Sequence, residues 1–164
     1  MTDLPYHTPL SPDQQRAFGV ADPQPLAMAD RVRFGELDLL GHVNNAIYMR
    51  WFESLRVRYF QDWGISTYRD HASEPRIVIR RGEIDYLAEV RMDQAFVCTA
   101  ATRRFRTSSF TMWQELWVEG RLSATMASVI VLLSPDGSGR MPIPDAVLHR
   151  MRAVDKAAPA ISGG

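Results

Sequence analysis

Hydrophobic and polar positions follow a helical period between residues 44 and 63. Apolar side chains recur there at spacings of three and four, which is typical of an α-helix that buries one broad face. Asn44 or Asn45 is suited to the N-cap, and Gly64 is suited to the position after the last turn. The pattern predicts a helix of about five turns. Its predicted buried face comprises Ile47, Tyr48, Trp51, Phe52, Leu55, Tyr59 and Phe60.

Strand-like patterns lie on both sides of this helix. Apolar and charged residues roughly alternate over 28–34, which predicts a first strand with Val32 and Phe34 on its buried side. Four later segments are rich in β-branched and aromatic residues, and their short connections favour antiparallel pairing. These segments are 76–86, 94–106, 110–119 and 121–133, and a last helix is predicted from Asp145 to about Val154.

The two ends of the chain differ from this central region. Prolines 5, 9, 12, 23 and 25 prevent long regular structure over 1–26, although Ser11 can cap a short helix that ends at Phe18. We therefore expect an N-terminal arm over 1–26, one domain over 27–156 and a disordered tail over 157–164.

Composition restricts the classes of partner. The 164 residues include 19 basic and 19 acidic side chains, so the formal net charge is zero and favours neither nucleic acid nor a membrane surface. The sequence contains no run of about 18 apolar residues, the length that a membrane-spanning helix requires. The single cysteine, Cys98, suits a reducing compartment, so we expect a cytoplasmic protein without nucleic-acid or membrane partners.

The order of elements predicts an α+β fold. One long apolar helix and five strands bury their apolar faces only if the sheet curls around the helix. We therefore expect the hot-dog fold, a curved antiparallel five-stranded sheet wrapped around one long central helix. Open sheet edges are usually paired or covered, so we also expect a homodimer at least.

Candidate chemistry is concentrated just before the long helix. Asp38 and His42 flank a turn that contains Gly41, and the helix start offers unpaired backbone N–H groups and a positive dipole end. A carbonyl beside such N–H groups is polarised while the carboxylate activates water, which is the equipment of an acyl-transfer or hydrolysis site.

Structural roles are the alternatives for each of these residues. Asp38 can accept hydrogen bonds from helix N–H groups, His42 can fix the turn, and Asn44 and Asn45 can serve as caps. Further along the helix, Glu53 and Arg56 are spaced for an ion pair on a solvated edge. Another branch of hot-dog proteins uses a helix glutamate in catalysis, and resemblance to it makes Glu53 a minor catalytic candidate.

A longer motif includes these residues. It runs Asp38-x-x-x-His42-Val43-Asn44-Asn45-x-x-Tyr48-x-x-Trp51-x-Glu53-Ser54, and it is accompanied by Tyr86-Leu87, Arg106-Thr107-Ser108-Ser109 and Arg140-Met141-Pro142-Ile143-Pro144. This set resembles the 4-hydroxybenzoyl-CoA thioesterase-like branch of the hot-dog superfamily, and the motif also resembles that of plant acyl-ACP thioesterases.

The resemblance implies an acyl-CoA or acyl-ACP thioesterase. It implies that Asp38 is the catalytic carboxylate, as general base or nucleophile, and that a backbone N–H near Asn45 polarises the thioester carbonyl. The plant enzymes also implicate the residue at His42, but they have an asparagine where this chain has Leu40, so their catalytic set is incomplete here. No cofactor is implied, since coenzyme A is part of the substrate, and the four histidines lack metal-ligand spacing.

Further residues are candidates for substrate binding. The phosphates of the substrate require cations and hydroxyl donors, for which we nominate Arg103, Arg104, Ser108 and Ser109 from a group that includes Arg80, Arg81 and Arg106. The alternative is that these arginines only cover a solvated strand face. Tyr48 is expected in the core and in the wall of the acyl pocket. Family members form dimers or dimers of dimers, with active sites at the dimer boundary.

Two other functions are weighed. Hot-dog hydratases and dehydratases use Asp-x-Asn-Pro-x-His, whereas this chain separates Asp38 from His42 by four positions and has neither Asn nor Pro between them. A non-catalytic acyl-CoA-binding module is the second alternative, and the presence of Asp38 speaks against it.

Overall fold

Three α-helices and six strands form within residues 4–161, the part of the chain that the structure, a computed structural model, describes. The predicted bounds of the second and last long strands are confirmed to the residue. The elements are α1 (Pro12–Phe18), β1 (Leu26–Arg31), a 3-10 turn (Phe34–Glu36), α2 (Asn45–Asp62), β2 (Arg76–Tyr86), β3 (Ala95–Phe105), β4 (Ser109–Val118), β5 (Arg121–Leu133), α3 (Asp145–Ala153) and β6 (Ala158–Pro159).

All six strands belong to one sheet. Their order is β1-β3-β4-β5-β2, and β6 pairs with β3. Strands β1 and β3 are antiparallel, with Met28 opposite Cys98, whereas β6 runs parallel to the end of β3, with Ala158 opposite Arg104. Together with the long helix α2, these are the elements of the hot-dog fold, so the predicted α+β class is confirmed.

Helix α2 begins and ends where the sequence predicts. The side chain of Asn44 caps it, because its Oδ1 accepts the N–H of Ala46 at 3.0 Å. Gly64 follows the last turn with a φ of +76°, a left-handed conformation that favours glycine. The predicted apolar face is buried throughout, its most exposed member, Ile47, being 9% exposed.

Contacts between residues group the described chain into two units, and α2 and strands β2 to β5 each contribute residues to both. The first unit takes 4–56, 84–100 and 114–126, and the second takes 57–83, 101–113 and 127–161.

In the first unit, the N-terminal arm pairs with the outer edge of β1. The N–H of His7 donates to the carbonyl of Ala29 at 3.2 Å, and the N–H of Leu10 donates to that of Ala27 at 2.9 Å. The arm also contains the predicted helix α1, which Ser11 caps. A small apolar core forms from Leu4, Leu10, Val20, Ala27, Ala29 and Val97.

In the second unit, the carboxylate of Asp155 is buried at the end of α3 and accepts three hydrogen bonds. Its Oδ2 accepts from the Tyr59 hydroxyl at 2.6 Å and from the Thr102 N–H at 2.7 Å. Its Oδ1 accepts from the indole of Trp63 at 2.8 Å. The bonds join the chain after α3 to α2 and β3, and burial raises the pKa of Asp155.

Two predictions about β1 and α2 are wrong. Phe34 is 81% exposed, because the strand ends at Arg31 and residue 34 begins the 3-10 turn. Arg56 is buried instead of pairing with Glu53 on a solvated edge. It follows Phe52 by four positions and therefore lies on the buried face of α2, where its Nη1 donates to Gln114 Oε1 at 3.0 Å.

The tail predicted to be disordered over 157–164 is ordered as far as the structure describes it. Ala157 is buried and Ala158–Pro159 forms β6, while the N–H of Ala160 donates to the carbonyl of Phe105 at 2.8 Å. This backbone pairing fixes the segment despite its small side chains. Residues 162–164 lie outside the described part.

We expect Asp155→Ala to destabilise the protein by about 2–4 kcal/mol, because three buried donors would lose their acceptor. Urea unfolding followed by circular dichroism measures the change. A loss below about 0.5 kcal/mol would show that the three hydrogen bonds contribute little.

Asp155→Asn tests the pH dependence of the same group. A raised pKa in the folded state means that the carboxyl stabilises the fold fully below its ordinary value of 3.8, and this contribution falls as pH rises through the raised pKa. The stability advantage of wild type over Asp155→Asn should therefore shrink as pH rises above 4 in urea titrations. An advantage that grows with pH would contradict this sign.

Candidate functional site

The turn before α2 brings Asp38 and His42 together in the first unit. The N–H of Asp38 donates to the carbonyl of His42 at 2.8 Å, and the N–H of Gly41 donates to the carbonyl of Asp38 at 3.1 Å. Gly41 has a φ of +75°, which glycine adopts without strain. The backbone therefore holds both predicted residues at the base of one tight turn.

The Asp38 carboxylate stabilises this turn through only one of its oxygens. Oδ1 accepts the N–H of Leu40 at 2.8 Å and that of His42 at 3.3 Å. Asp38 therefore has a structural role as an acceptor, but its donors are N–H groups of the turn and not of the helix. Oδ2 has no hydrogen-bond partner within residues 4–161. The half-buried carboxylate lines a cavity of about 490 Å³.

The start of α2 contributes to the same cavity. The N–H of Val43 donates to the carbonyl of Val90 at 2.8 Å, and that of Asn44 donates to the carbonyl of Glu36 at 2.9 Å. The N–H of Asn45 has no acceptor in the described chain, and Asn45 lines the cavity. The two asparagines therefore have different roles. Asn44 is the helix cap, and Asn45 presents an available backbone donor to the cavity.

His42 contacts an acidic residue that the sequence did not single out. Its Nε2 lies 3.1 Å from Oε2 of Glu89, and the same oxygen accepts from Nη2 of Arg91 at 3.0 Å. Both His42 and Glu89 line the cavity. Glu89 follows β2 and is distant from His42 in sequence, so no local pattern indicates the pair.

Two tyrosines form the aromatic part of the cavity wall. The rings of Tyr48 and Tyr86 meet edge to face at 5.1 Å, and the Tyr86 hydroxyl donates to the carbonyl of Asn45 at 3.1 Å. Burial, reinforced by Tyr86 and by the charges of Asp38 and Glu89, raises the pKa of Tyr48 to about 12. Tyr48 is therefore both a buried residue and a wall residue.

Glu36 connects the turn to α2. Its Oε1 accepts the indole N–H of Trp51 at 3.0 Å, and its Oε2 accepts the N–H of Arg33 at 2.8 Å. Its carbonyl also accepts the Asn44 N–H described above. Glu36 thus positions the turn relative to the helix. One local feature of the sequence points to this role of Glu36, which is an acidic residue three positions after Arg33.

The predicted substrate-binding residues on β3, on β4 and in the turn between them lie in the second unit, and only some of them line one cavity. Arg104 and Ser109 line a cavity of about 330 Å³. Arg103 does not line it, since neighbouring strand residues point to opposite faces, and Ser108 is buried. The other lining arginines are Arg80, Arg106 and Arg140, whereas Arg81 pairs with Glu83 at 3.0 Å.

Two further properties concern the described residues as a whole. No helix among them is long and apolar enough to cross a membrane. Within the same residues, no group of three or more His, Cys, Asp or Glu side chains is arranged to hold a metal ion.

Comparisons with known proteins agree on one family. Residues 32–151 match the thioesterase-like superfamily. The chain is similar to a thioesterase-superfamily protein from Jannaschia sp. CCS1, with 40% identity, a TM-score of 0.89, and coverage of 95% of this chain and 99% of that one. It is also similar to a Thermus thermophilus thioesterase complexed with coenzyme A and Zn, with 31% identity, a TM-score of 0.71, and coverage of 82% and 97%.

A match to a curated bacterial protein is more distant. The uncharacterized protein YsmA of Bacillus subtilis strain 168 is 28% identical over 106 residues, which are 64% of this chain and 70% of that protein.

The raised pKa of Tyr48 has a spectroscopic consequence. We expect the tyrosinate absorbance step that is lost in Tyr48→Phe to have its midpoint near pH 12 instead of the ordinary 10. Since the phenol favours folding below pH 10 and this contribution is lost between pH 10 and 12, circular dichroism must confirm folding at each pH. If the step that Tyr48→Phe loses has its midpoint near pH 10, Tyr48 is exposed in the folded protein.

Proposed function

The chain belongs to the thioesterase-like superfamily, and on this premise we propose that it hydrolyses an acyl-CoA or acyl-ACP thioester to a free acid and a thiol. One observation carries the proposal. Asp38 Oδ2 and the Asn45 N–H, which find no partner among the described residues, line the same cavity. An unpaired base and an unpaired donor on one wall match the two requirements of thioester hydrolysis.

In the proposed reaction, the thioester carbonyl oxygen accepts the Asn45 N–H. This donor stabilises the oxyanion that develops when the carbonyl carbon is attacked, a role worth about 2.7–4 kcal/mol per donor in known cases. Asp38 Oδ2 removes a proton from the attacking water, or attacks directly to form an anhydride that water then cleaves. Oδ1 remains bonded to the turn in both routes, which keeps the carboxylate oriented.

His42 is proposed to assist without being the base. Its Nε2 is engaged with Glu89, and the pair lies on the cavity wall beside Asp38. A histidine in this position can donate a proton to the departing thiolate or contact the substrate. Leu40, where the plant enzymes have asparagine, is 77% exposed and supplies no polar group to the turn.

We propose a substrate of the coenzyme A type, which agrees with the coenzyme A bound to the Thermus thermophilus relative. Arg104 and Ser109, two of the residues that the sequence predicts for phosphate contact, line a cavity. The buried thiol of Cys98, whose pKa burial raises, is consistent with the cytoplasmic location that we propose.

A homodimer, alone or as half of a dimer of dimers, is proposed from the edge strand β2. The strand ends the sheet opposite β1, and its apolar residues Val78 and Ile79 are 39% and 42% exposed. Such an edge pairs readily with a second copy, since unpaired strand backbone and apolar side chains are both satisfied by it.

We expect Asp38→Asn to lower thiol release from acyl-CoA at least about tenfold, because the amide oxygen retains the turn hydrogen bonds but is not a base. A thiol-reactive dye measures the rate over short, long and aromatic acyl groups, and circular dichroism verifies the fold. Undiminished turnover would remove Asp38 from the mechanism. Acyl-CoA binding without turnover in wild type would favour the non-catalytic binding module.

His42→Ala is expected to cause a smaller loss in the same assay, since an assisting proton donor contributes less than the base. Glu89→Gln is the matched variant, because it retains a hydrogen-bond acceptor for the imidazole without the charge. A His42→Ala loss equal to that of Asp38→Asn would make the histidine a full partner in the chemistry.

Ile79→Asp is expected to convert the dimer to a monomer, because an unpaired carboxylate would be buried against the partner strand. Light scattering after size-exclusion chromatography measures the mass. Met92→Asp, at a residue that is 47% exposed and outside β2, is the control and should remain dimeric. A monomeric wild-type protein would refute the proposed assembly.

A further inference from the structure

A second cavity lies in the first unit, apart from the one that Asp38 lines. It has a volume of about 200 Å³, and the two cavities share no lining residue. Its walls come from the N-terminal arm, the edge strand β1, strand β3 and the middle of α2, and we call it the edge cavity. In known cases an apolar cavity of about 150 Å³ holds one benzene molecule, so the edge cavity has room for one aromatic ring.

The interior of the edge cavity favours an aromatic ligand. Trp51 and Phe96 line it with rings whose centroids are 4.2 Å apart and whose planes are tilted by 30°. Met28 and Cys98, which are opposite each other on β1 and β3, line it with two sulfur-containing side chains. Aromatic rings pack favourably against other rings and against sulfur. An aliphatic ligand of the same size makes neither kind of contact.

The charged groups of the edge cavity lie at its opening and are paired. Asp30 accepts two hydrogen bonds from Nη2 of Arg33, at 3.0 and 3.1 Å. Nε2 of His7 lies 3.6 Å from the same carboxylate, and the side chains of His7 and Arg33 are more than half exposed. The charges of Asp30 and Arg33 cancel, so neither is left over for a charged ligand. A hydroxyl group suits this mixture, because it donates to a carboxylate and accepts from a guanidinium.

We propose that the edge cavity is a binding site for a small, uncharged aromatic molecule that carries one hydroxyl group. The ring occupies the interior beside Trp51 and Phe96, and the hydroxyl lies at the opening, where it donates to Asp30 and accepts from Arg33. Binding at this site does not depend on the proposed thioesterase function, because the edge cavity shares no lining residue with the cavity of Asp38.

Glu36 connects the edge cavity to the turn that holds Asp38. The indole N–H of Trp51 donates to Glu36 Oε1 at 3.0 Å, and the backbone N–H of Arg33 donates to Glu36 Oε2 at 2.8 Å. Trp51 and Arg33 both line the edge cavity, so a ligand there contacts the two residues that hold Glu36. Because Glu36 positions the turn, the bound ligand changes the rate of the reaction at Asp38. This consequence, unlike the binding, rests on the proposed function.

Phenol is the direct probe of the edge cavity, and ligand-detected NMR titration of the full chain at pH 8 measures its dissociation constant. Cyclohexanol lacks the aromatic ring, and benzoate adds a charge. We expect saturable phenol binding, with cyclohexanol and benzoate each at least about fivefold weaker. No saturable phenol binding would overturn the site, and equal or tighter binding of cyclohexanol or benzoate would overturn the proposed class of ligand.

Ser54→Leu tests where phenol binds. Ser54 lines the edge cavity and is exposed on α2, so leucine fills the cavity from the surface. The variant should weaken phenol binding at least about tenfold. Arg50→Leu is the matched control, since it places the same side chain at an exposed position one turn earlier that does not line the cavity, and it should change binding less than about twofold. Equal effects of the two variants would overturn the location.

Asp30→Asn tests the contact with the hydroxyl group. The amide keeps the shape of the carboxylate without its charge, so phenol should bind about fivefold more weakly. Toluene, which has no hydroxyl, should bind Asp30→Asn and wild type equally within about twofold, which shows that the cavity is intact in the variant. Unchanged phenol binding, or an equal loss of both ligands, would contradict the assigned contact.

Hydrolysis of a short acyl thioester tests the connection through Glu36. Phenol should change kcat with a half-saturation equal to its dissociation constant, and Ser54→Leu should abolish this change relative to its own rate without phenol. A change that persists in Ser54→Leu would place phenol in the cavity of Asp38 and refute the connection. Phenol binding without any thioester hydrolysis would refute the proposed function and retain the site, whereas hydrolysis without phenol binding would do the reverse.

Discussion

The first turn of α2 exposes backbone N–H groups that no earlier helical turn can satisfy, and the site is built around the way the chain supplies their acceptors. The side chain of Asn44 serves Ala46, and the carbonyl of Glu36 serves Asn44. The N–H of Asn45 has no acceptor within the described chain, and it borders the cavity that Asp38 lines. The preceding turn therefore completes the helix and leaves one donor for a ligand.

Elements governed by local chemistry were predictable from the sequence. The boundaries of β2 and β5 followed from β-branched residues bounded by turn residues, and the cap at Asn44 and the left-handed Gly64 followed from intrinsic preferences. Asp38 and His42 lie on the predicted turn before α2, because motif and turn are contiguous in sequence. The failure at Phe34 shows the limit, since strand alternation does not reveal where a chain leaves the sheet.

Features that depend on distant partners were not predictable. Arg56 is buried because Gln114 on β4 accepts its hydrogen bond, and nothing in the spacing from Glu53 reveals that partner. Glu89 reaches His42 only after the sheet has formed. The tail contains no apolar pattern of its own, yet it is fixed by backbone pairing with β3 beside the three hydrogen bonds of Asp155.

The N-terminal arm has a consequence for how copies of this chain add to one another. It lies along the outer edge of β1, where Pro9 opposite Met28 has no N–H to offer a further strand. A sheet with two open edges can grow without end, as fibres do, whereas a sheet with one blocked edge stops after a single addition. The arm thus blocks one edge, so that the homodimer proposed above through β2 would be the end point of association through the sheet.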